Sequence, residues 1–222
     1  MINGTLYRLA FALSIQLYAI TALAETHKFA LVLGNNQGYE TRATLRYAEQ
    51  DARKFYRVLT ELGGFLPDDT LLLLNADAAR VRQALKQIEK RLFEYKQKSG
   101  DKTLLVIFFS GHAEGQSFEL GSSSLTFSEL ASFLRSSSAD VRIAFLDSCQ
   151  SGQLITTKGG HRGAAFKIRV TDEITSKGYA MITSSAQNEL SQESAELRGA
   201  YFTHYLVSAL RGAGDFSGDG RV

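Results

Sequence analysis

The chain carries a single cysteine, Cys149, in the run Asp147-Ser148-Cys149-Gln150-Ser151-Gly152, directly after the apolar stretch 141–147. A second short polar motif, Ser110-Gly111-His112, follows another apolar stretch, 102–109. An ordinary thiol titrates near ~8.5, and its thiolate is the nucleophile. An imidazole beside it can take the proton and later return one to a leaving amine. Gly111 and Gly152 let the backbone turn tightly, so that N–H groups can face a developing oxyanion. Taken singly, Cys149 reads as a packed thiol and His112 as a loop histidine. Together, at two strand ends, they make a nucleophile and its base. One cysteine allows no intramolecular disulfide and gives no support to a cysteine-based zinc site.

The elements that must hold these motifs alternate along the chain. Continuous apolar runs at 28–34, 70–75, 102–109, 141–147 and 179–183 read as buried strands. Helical spacing recurs at 41–62, through Leu45, Ala48, Ala52, Phe55, Val58, Leu59 and Leu62, and again at 78–95, 126–135 and 200–211. Apolar strands interleaved with helices predict an α/β fold, a three-layer α/β/α sandwich around a mostly parallel sheet. No linker or repeat divides it, so one domain is expected. Ligands of such sheets bind beyond the carboxyl ends of the strands, where both polar motifs lie.

A strand ending in Ser110-Gly111-His112, followed by a strand ending in Asp147-Ser148-Cys149-Gln150-Ser151-Gly152, resembles the caspase-like cysteine peptidases of family C14. The metacaspase and bacterial branch is closer than the animal caspases. Leu45, Ala48, Asp51-Ala52, Leu59 and Gly63-Gly64-Phe65 are similar to the family's first helix. Ser184-Ser185-Ala186, Gln192-Glu193-Ser194, Tyr201-Phe202-Thr203-His204 and Leu210-Arg211-Gly212 are similar to its closing segment. The resemblance implies His112 as general base and acid, Cys149 as nucleophile, and an oxyanion site from the backbone N–H groups of Ala113 and Cys149. It also implies a specificity pocket lined by Asp51, Ser110 and Asp147. The family often has glycine where this sequence has Ala113, an exchange that strains the chain if the position needs a positive φ. Charge points the same way: Asp51 and Asp147, with Glu193 nearby, would hold a Lys or Arg side chain by charge-assisted hydrogen bonds. The expected reaction is therefore endopeptidase cleavage of a protein or peptide after Arg or Lys, with no cofactor required.

Composition and the chain ends narrow the remaining choices. Hydrophobic residues make up 44% and charged residues 22% of the 222 positions, ordinary globular usage that excludes a disordered chain, a fibre or a coiled coil. Lys and Arg number 25 against 23 acids, a net charge of +2 without a basic stripe, so no nucleic-acid partner is expected. Residues 1–24 combine Arg8, an uncharged stretch and the ending Ala22-Leu23-Ala24, which reads as a signal peptide cut before Glu25. The uncharged stretch falls short of the ~20 residues that span a bilayer. Export to the periplasm or beyond is the expected outcome, without stable membrane insertion after cleavage, and 25–222 as the peptidase domain. At 215–222 the sequence matches the opening of a calcium loop, with Asp215, Ser217 and Asp219 as oxygen donors and Gly220 at the sixth position. The sequence stops before the acid due at the twelfth, which suggests a domain cut short; the competing reading is a polar turn. Two other functions fit the same residues: an inactive caspase-like interaction module, or a cysteine hydrolase acting on non-peptide bonds. Oligomeric state has no signature here.

Overall fold

The structure is a computed structural model and describes residues 26–148, 178–184, 193–220 and 222. Its centre is a parallel sheet of five strands. β1 (His27–Gly34), β2 (Thr70–Leu74) and β3 (Thr103–Ser110) come first. A small antiparallel meander follows, made of β4 (Ala113–Glu114), β5 (Ser117–Leu120) and β6 (Ser123–Thr126). β7 (Val141–Asp147) and β8 (Tyr179–Thr183) complete the sheet in the order β2-β1-β3-β7-β8.

Helices cover both faces. α1 (Ala48–Glu61) and α4 (Tyr201–Ser208) lie on one, α2 (Ala78–Lys98) and α3 (Phe127–Ser136) on the other. Successive strand residues point to opposite layers. Ala30, Val32, Val106 and Phe108 therefore pack with Phe55, Val58 and Val207. Their neighbours Phe29, Leu31, Leu105, Ile107 and Phe109 pack with Val81, Leu85, Ile88 and Leu130. Burial on both faces is why these strands read as unbroken apolar runs. The three-layer α/β/α sandwich expected from that pattern is the observed architecture.

The connection after β1 runs outward to β2, whereas β3 leads the other way to β7. The chain thus changes direction between β1 and β3, and a crevice opens beyond their carboxyl ends. Three local expectations are corrected there and nearby. The helix expected over 41–62 starts only at Ala48. Before it, the Leu45 N–H donates to the Asn36 carbonyl at 2.9 Å and closes 36–45 into a loop, so tertiary contacts override the apolar spacing. The meander and a two-residue hairpin, β9 (Glu193–Ser194) with β10 (Gly199–Ala200), are additional to the predicted elements. The last helix gives way at Ala209–Ala213 to a π turn, where Gly212 takes a φ of 115°. Among the described residues no helix is long and apolar enough to cross a membrane.

Candidate active site

Gly34, Ser110 and Asp147 form one registered row across the carboxyl ends of β1, β3 and β7. Two residues past Ser110 comes His112; two residues past Asp147 comes Cys149. Cys149 lies outside the described residues, as do residues 1–24 and the segment 149–177. The row itself is tied by its backbone. The Asn35 N–H donates to the Ser110 carbonyl at 2.9 Å, and the Gly111 N–H to the Asp147 carbonyl at 3.2 Å. Ser110 is buried.

His112 is half-buried, with Nε2 2.9 Å from the Ala43 carbonyl oxygen. A carbonyl only accepts, so Nε2 carries a proton and neutral His112 keeps its free lone pair on Nδ1. The neighbouring Ala113 is buried in β4, opposite Phe118. Among the described non-glycine residues only Asn75 and Arg198 have positive φ. Alanine in place of glycine at 113 is therefore unstrained.

Two buried carboxylates accompany the row, Asp147 within it and Asp51 on the adjoining helix. Asp51, on the first turn of α1, is fully buried. Its Oδ2 accepts the Ala200 N–H at 2.8 Å and its Oδ1 the Lys54 ammonium at 3.2 Å. The same ammonium reaches the carbonyls of Leu197 and Arg198. This close approach requires glycine at 199, because a Cβ there would sit 2.4 Å from Asp51 Oδ1 and 2.6 Å from Lys54 Nζ. Asp147 is 2% exposed, and its Oδ2 accepts the Thr203 hydroxyl at 2.6 Å. Glu193 reaches the same corner of the molecule. Its two oxygens accept the N–H groups of Arg46 and Tyr47 at 3.1 and 2.9 Å, so it ties down the two residues that lead into α1, 146 positions away from Tyr47.

Burial pushes the Asp51 carboxyl up to about 7, with the charge of Asp147 adding to the rise, against the Ala200 N–H and the Lys54 ammonium. An acid whose folded-state pKa exceeds its unfolded value holds its proton more tightly when folded. Its contribution to stability is complete below the unfolded value of 3.8 and is lost as pH rises through about 7. Asp51→Asn keeps a neutral, similarly shaped group at every pH. The variant is expected to lack this loss, a difference on the order of 4 kcal/mol between pH 4 and 8. Urea unfolding of both proteins across that range measures it. Parallel pH profiles would refute the assignment.

The loop at 215–220 is satisfied internally. Asp215 Oδ1 accepts from the Ser217 hydroxyl and the N–H groups of Gly218 and Asp219, and Oδ2 accepts the Gly220 N–H at 2.8 Å. These donors, Gly220 foremost, hold the Asp215 carboxyl below its ordinary range. Among the described residues no group of three or more His, Cys, Asp or Glu side chains is placed to hold a metal ion. Asp215 thus gathers the donors of its own loop, with Ser217 and Asp219 beside it.

Three contributors to the site escaped sequence reasoning. The Ala43 carbonyl is a backbone atom and leaves no trace in residue type. Thr203 lies in the closing segment, and only the fold brings its hydroxyl to Asp147. Lys54 was hidden as an ordinary helix-surface residue, although its position three residues after Asp51 was a usable signal.

Comparison with known proteins agrees with this architecture. A family model described as the caspase domain of Peptidase C14 matches residues 27–218. Over 96 residues, 43% of this chain, the sequence is 29% identical to Metacaspase-4 of Arabidopsis thaliana, and the match covers 22% of that protein's length. The crystal structure of caspase-1 from Spodoptera frugiperda superposes with a TM-score of 0.59 at 15% identity, covering 86% of this chain and 71% of that one. The structural likeness shows the shared fold.

Proposed function

The chain belongs to the caspase-domain family of cysteine peptidases, and from that premise we propose that it is an endopeptidase cutting after Arg or Lys with a Cys149–His112 dyad. The observation that carries this reading is the registered row at the sheet edge. His112 and Cys149 follow partners in adjacent strands by the same two residues, and the Ala43 carbonyl leaves Nδ1 of His112 as the available base.

In this mechanism Nδ1 takes the thiol proton, and the Cys149 sulfur attacks the carbonyl carbon before the scissile bond. The C=O electron pair moves onto oxygen, where the N–H groups of Ala113 and Cys149 stabilise it. Collapse expels the amine, which takes the proton from His112. Water, deprotonated by the same imidazole, then releases the acid and restores the thiol. Asp147 and Asp51 supply negative charge for a basic side chain, beside the buried Ser110. Because Lys54 already lies on Asp51, a bound Arg or Lys would share or displace that internal cation.

Cleavage profiling on a mixed peptide library, with and without calcium, tests the reaction, the preference and the calcium expectation together. An arginyl ketone probe that labels Cys149 supports the peptidase. A folded chain that stays unlabelled favours the interaction module, and hydrolysis confined to non-peptide bonds favours the third reading. Export after removal of 1–24 belongs to the proposal as well, and Glu25 as the first residue of the recovered protein would support it.

Self-processing is a further expected outcome. Lys158, Arg162, Lys167 and Arg169 stand among Gly159, Gly160 and Gly163, outside the described residues. Loop segments of this composition are readily nicked. Incubating the purified protein should give new N-termini directly after one of these four residues, absent in Cys149→Ala. An intact chain that still cleaves peptides would remove self-processing and leave the peptidase assignment standing.

A further inference from the structure

The mechanism makes no use of Glu119, which is a fully buried carboxylate next to its base. Glu119 lies on β5, and its N–H donates to the His112 carbonyl at 2.9 Å. Its side chain enters the loop that follows β1. Oε2 accepts the Tyr39 N–H at 3.0 Å, and Oε1 accepts both Nε and a terminal nitrogen of Arg42 at 3.2 Å. The same Arg42 nitrogen meets the exposed Glu114 at 2.6 Å.

Burying a carboxylate is unfavourable unless donors satisfy it; here every donor comes from one loop. That loop is drawn together by Arg42 N–H on the Tyr39 carbonyl at 2.8 Å and by the Leu45–Asn36 bond. The Gly121 N–H pins it to the meander through the Gln37 carbonyl at 3.2 Å. Ala43, whose carbonyl holds His112 Nε2, is the residue directly after Arg42. Gly38 of the same loop stands beside the ring. A Cβ at that position would lie 2.4 Å from Glu119 Oε2 and 2.9 Å from His112 Cδ2. Carboxylate and imidazole therefore border the same stretch of backbone.

We propose that Glu119 is a positioning residue for His112: through Tyr39 and Arg42 it sets the Ala43 carbonyl in place, and so fixes which ring nitrogen carries the proton. The consequence for hydrolysis rests on the peptidase reading, whereas the consequence for the ring does not. Nothing in this link touches substrate. Its loss should act on turnover through a misaimed base and leave substrate binding intact. Displacements of this kind reduce rates by about 10- to 100-fold.

The experiment compares the full chain with Glu119→Gln, which keeps the shape and one acceptor oxygen, and with Arg42→Lys, which keeps the charge but loses the fork. Two-bond proton–nitrogen spectra of the histidine rings, with His112 identified by its disappearance in His112→Ala, report the tautomer directly. Wild type is expected to show the Nε2–H form and both variants a mixture, with kcat down about 10- to 100-fold and KM changed less than about twofold. Should Glu119→Gln fail to fold, Arg42→Lys interrogates the same link from its other end. An unchanged tautomer in the folded variants overturns the proposal, whatever happens to the rate. An equal rise in KM overturns it too, since that would place Glu119 in substrate binding. If wild type cleaves no peptide at all, the peptidase reading fails and the ring spectra alone decide this one.

Discussion

Cys149→Ala is expected to abolish peptide hydrolysis, and His112→Ala to lower it by about 10²- to 10⁴-fold, with both proteins still folded. The double variant should be no slower than Cys149→Ala alone, because a nucleophile and its base act as one unit. Retention of the fold follows from where His112 sits. Its ring is half-buried and its Nε2 bonds one carbonyl, that of Ala43, at the mouth of the site. Removing one such bond costs about 1 kcal/mol, a small part of a domain's stability. Initial rates on an arginyl peptide, with a circular dichroism melt of each variant, provide the check. Near-normal turnover by Cys149→Ala would refute the dyad outright.

Asp147→Asn should act on substrate choice. The carboxylate is buried and accepts from Thr203, so in the enzyme–substrate complex it would meet a basic side chain away from water. Breaking a buried charge pair on one side costs ~3–5 kcal/mol, which corresponds to roughly 10²- to several 10³-fold in KM for arginyl substrates. Peptides with a neutral residue before the cut should change far less. Asparagine still accepts the Thr203 hydroxyl, so the change reports on charge more than on packing. Equal losses for arginyl and neutral peptides would remove Asp147 from the specificity pocket, and efficient cleavage after aspartate would invert the assignment altogether.

Much of the scaffold could be read from residue order because burial on both faces leaves an unbroken apolar run. Leu105 to Phe109 is wholly buried, as is Phe29 to Leu33 in β1. The start of α1 could not be read the same way. Leu45 has helical spacing, but its N–H goes to Asn36, and Arg42 is drawn aside by Glu119. The meander was equally hidden, since β4 is two residues long and its neighbours four. At the site, His112 was legible because a polar histidine ending an apolar strand is conspicuous. The bonds that orient it and the pocket are long-range. Glu193 holds the N–H groups just before the helix that begins at Ala48, and Asp51 holds the N–H of Ala200. Such pairings depend on how the C-terminal segment packs against the first helix, and no local window contains them.

Those same long-range bonds determine what a cut between 149 and 177 would do. The C-terminal portion contributes β8 to the edge of the sheet, paired with β7 from Arg142–Tyr179 to Leu146–Thr183. It is then clasped three more times, by Ala200 on Asp51, Thr203 on Asp147 and Glu193 on the start of α1. Severing the covalent connection therefore leaves the halves interlocked. A nicked molecule would migrate as one particle on a sizing column and part into two polypeptides only in denaturant. Once parted, neither piece would hold a whole site, because the carboxylates of Asp51 and Asp147 would remain on one while Thr203 and the Ala200 N–H left with the other. Proteolysis in that region would change the molecule's connectivity without changing its shape, and its two polypeptides would then have to find each other again after any unfolding.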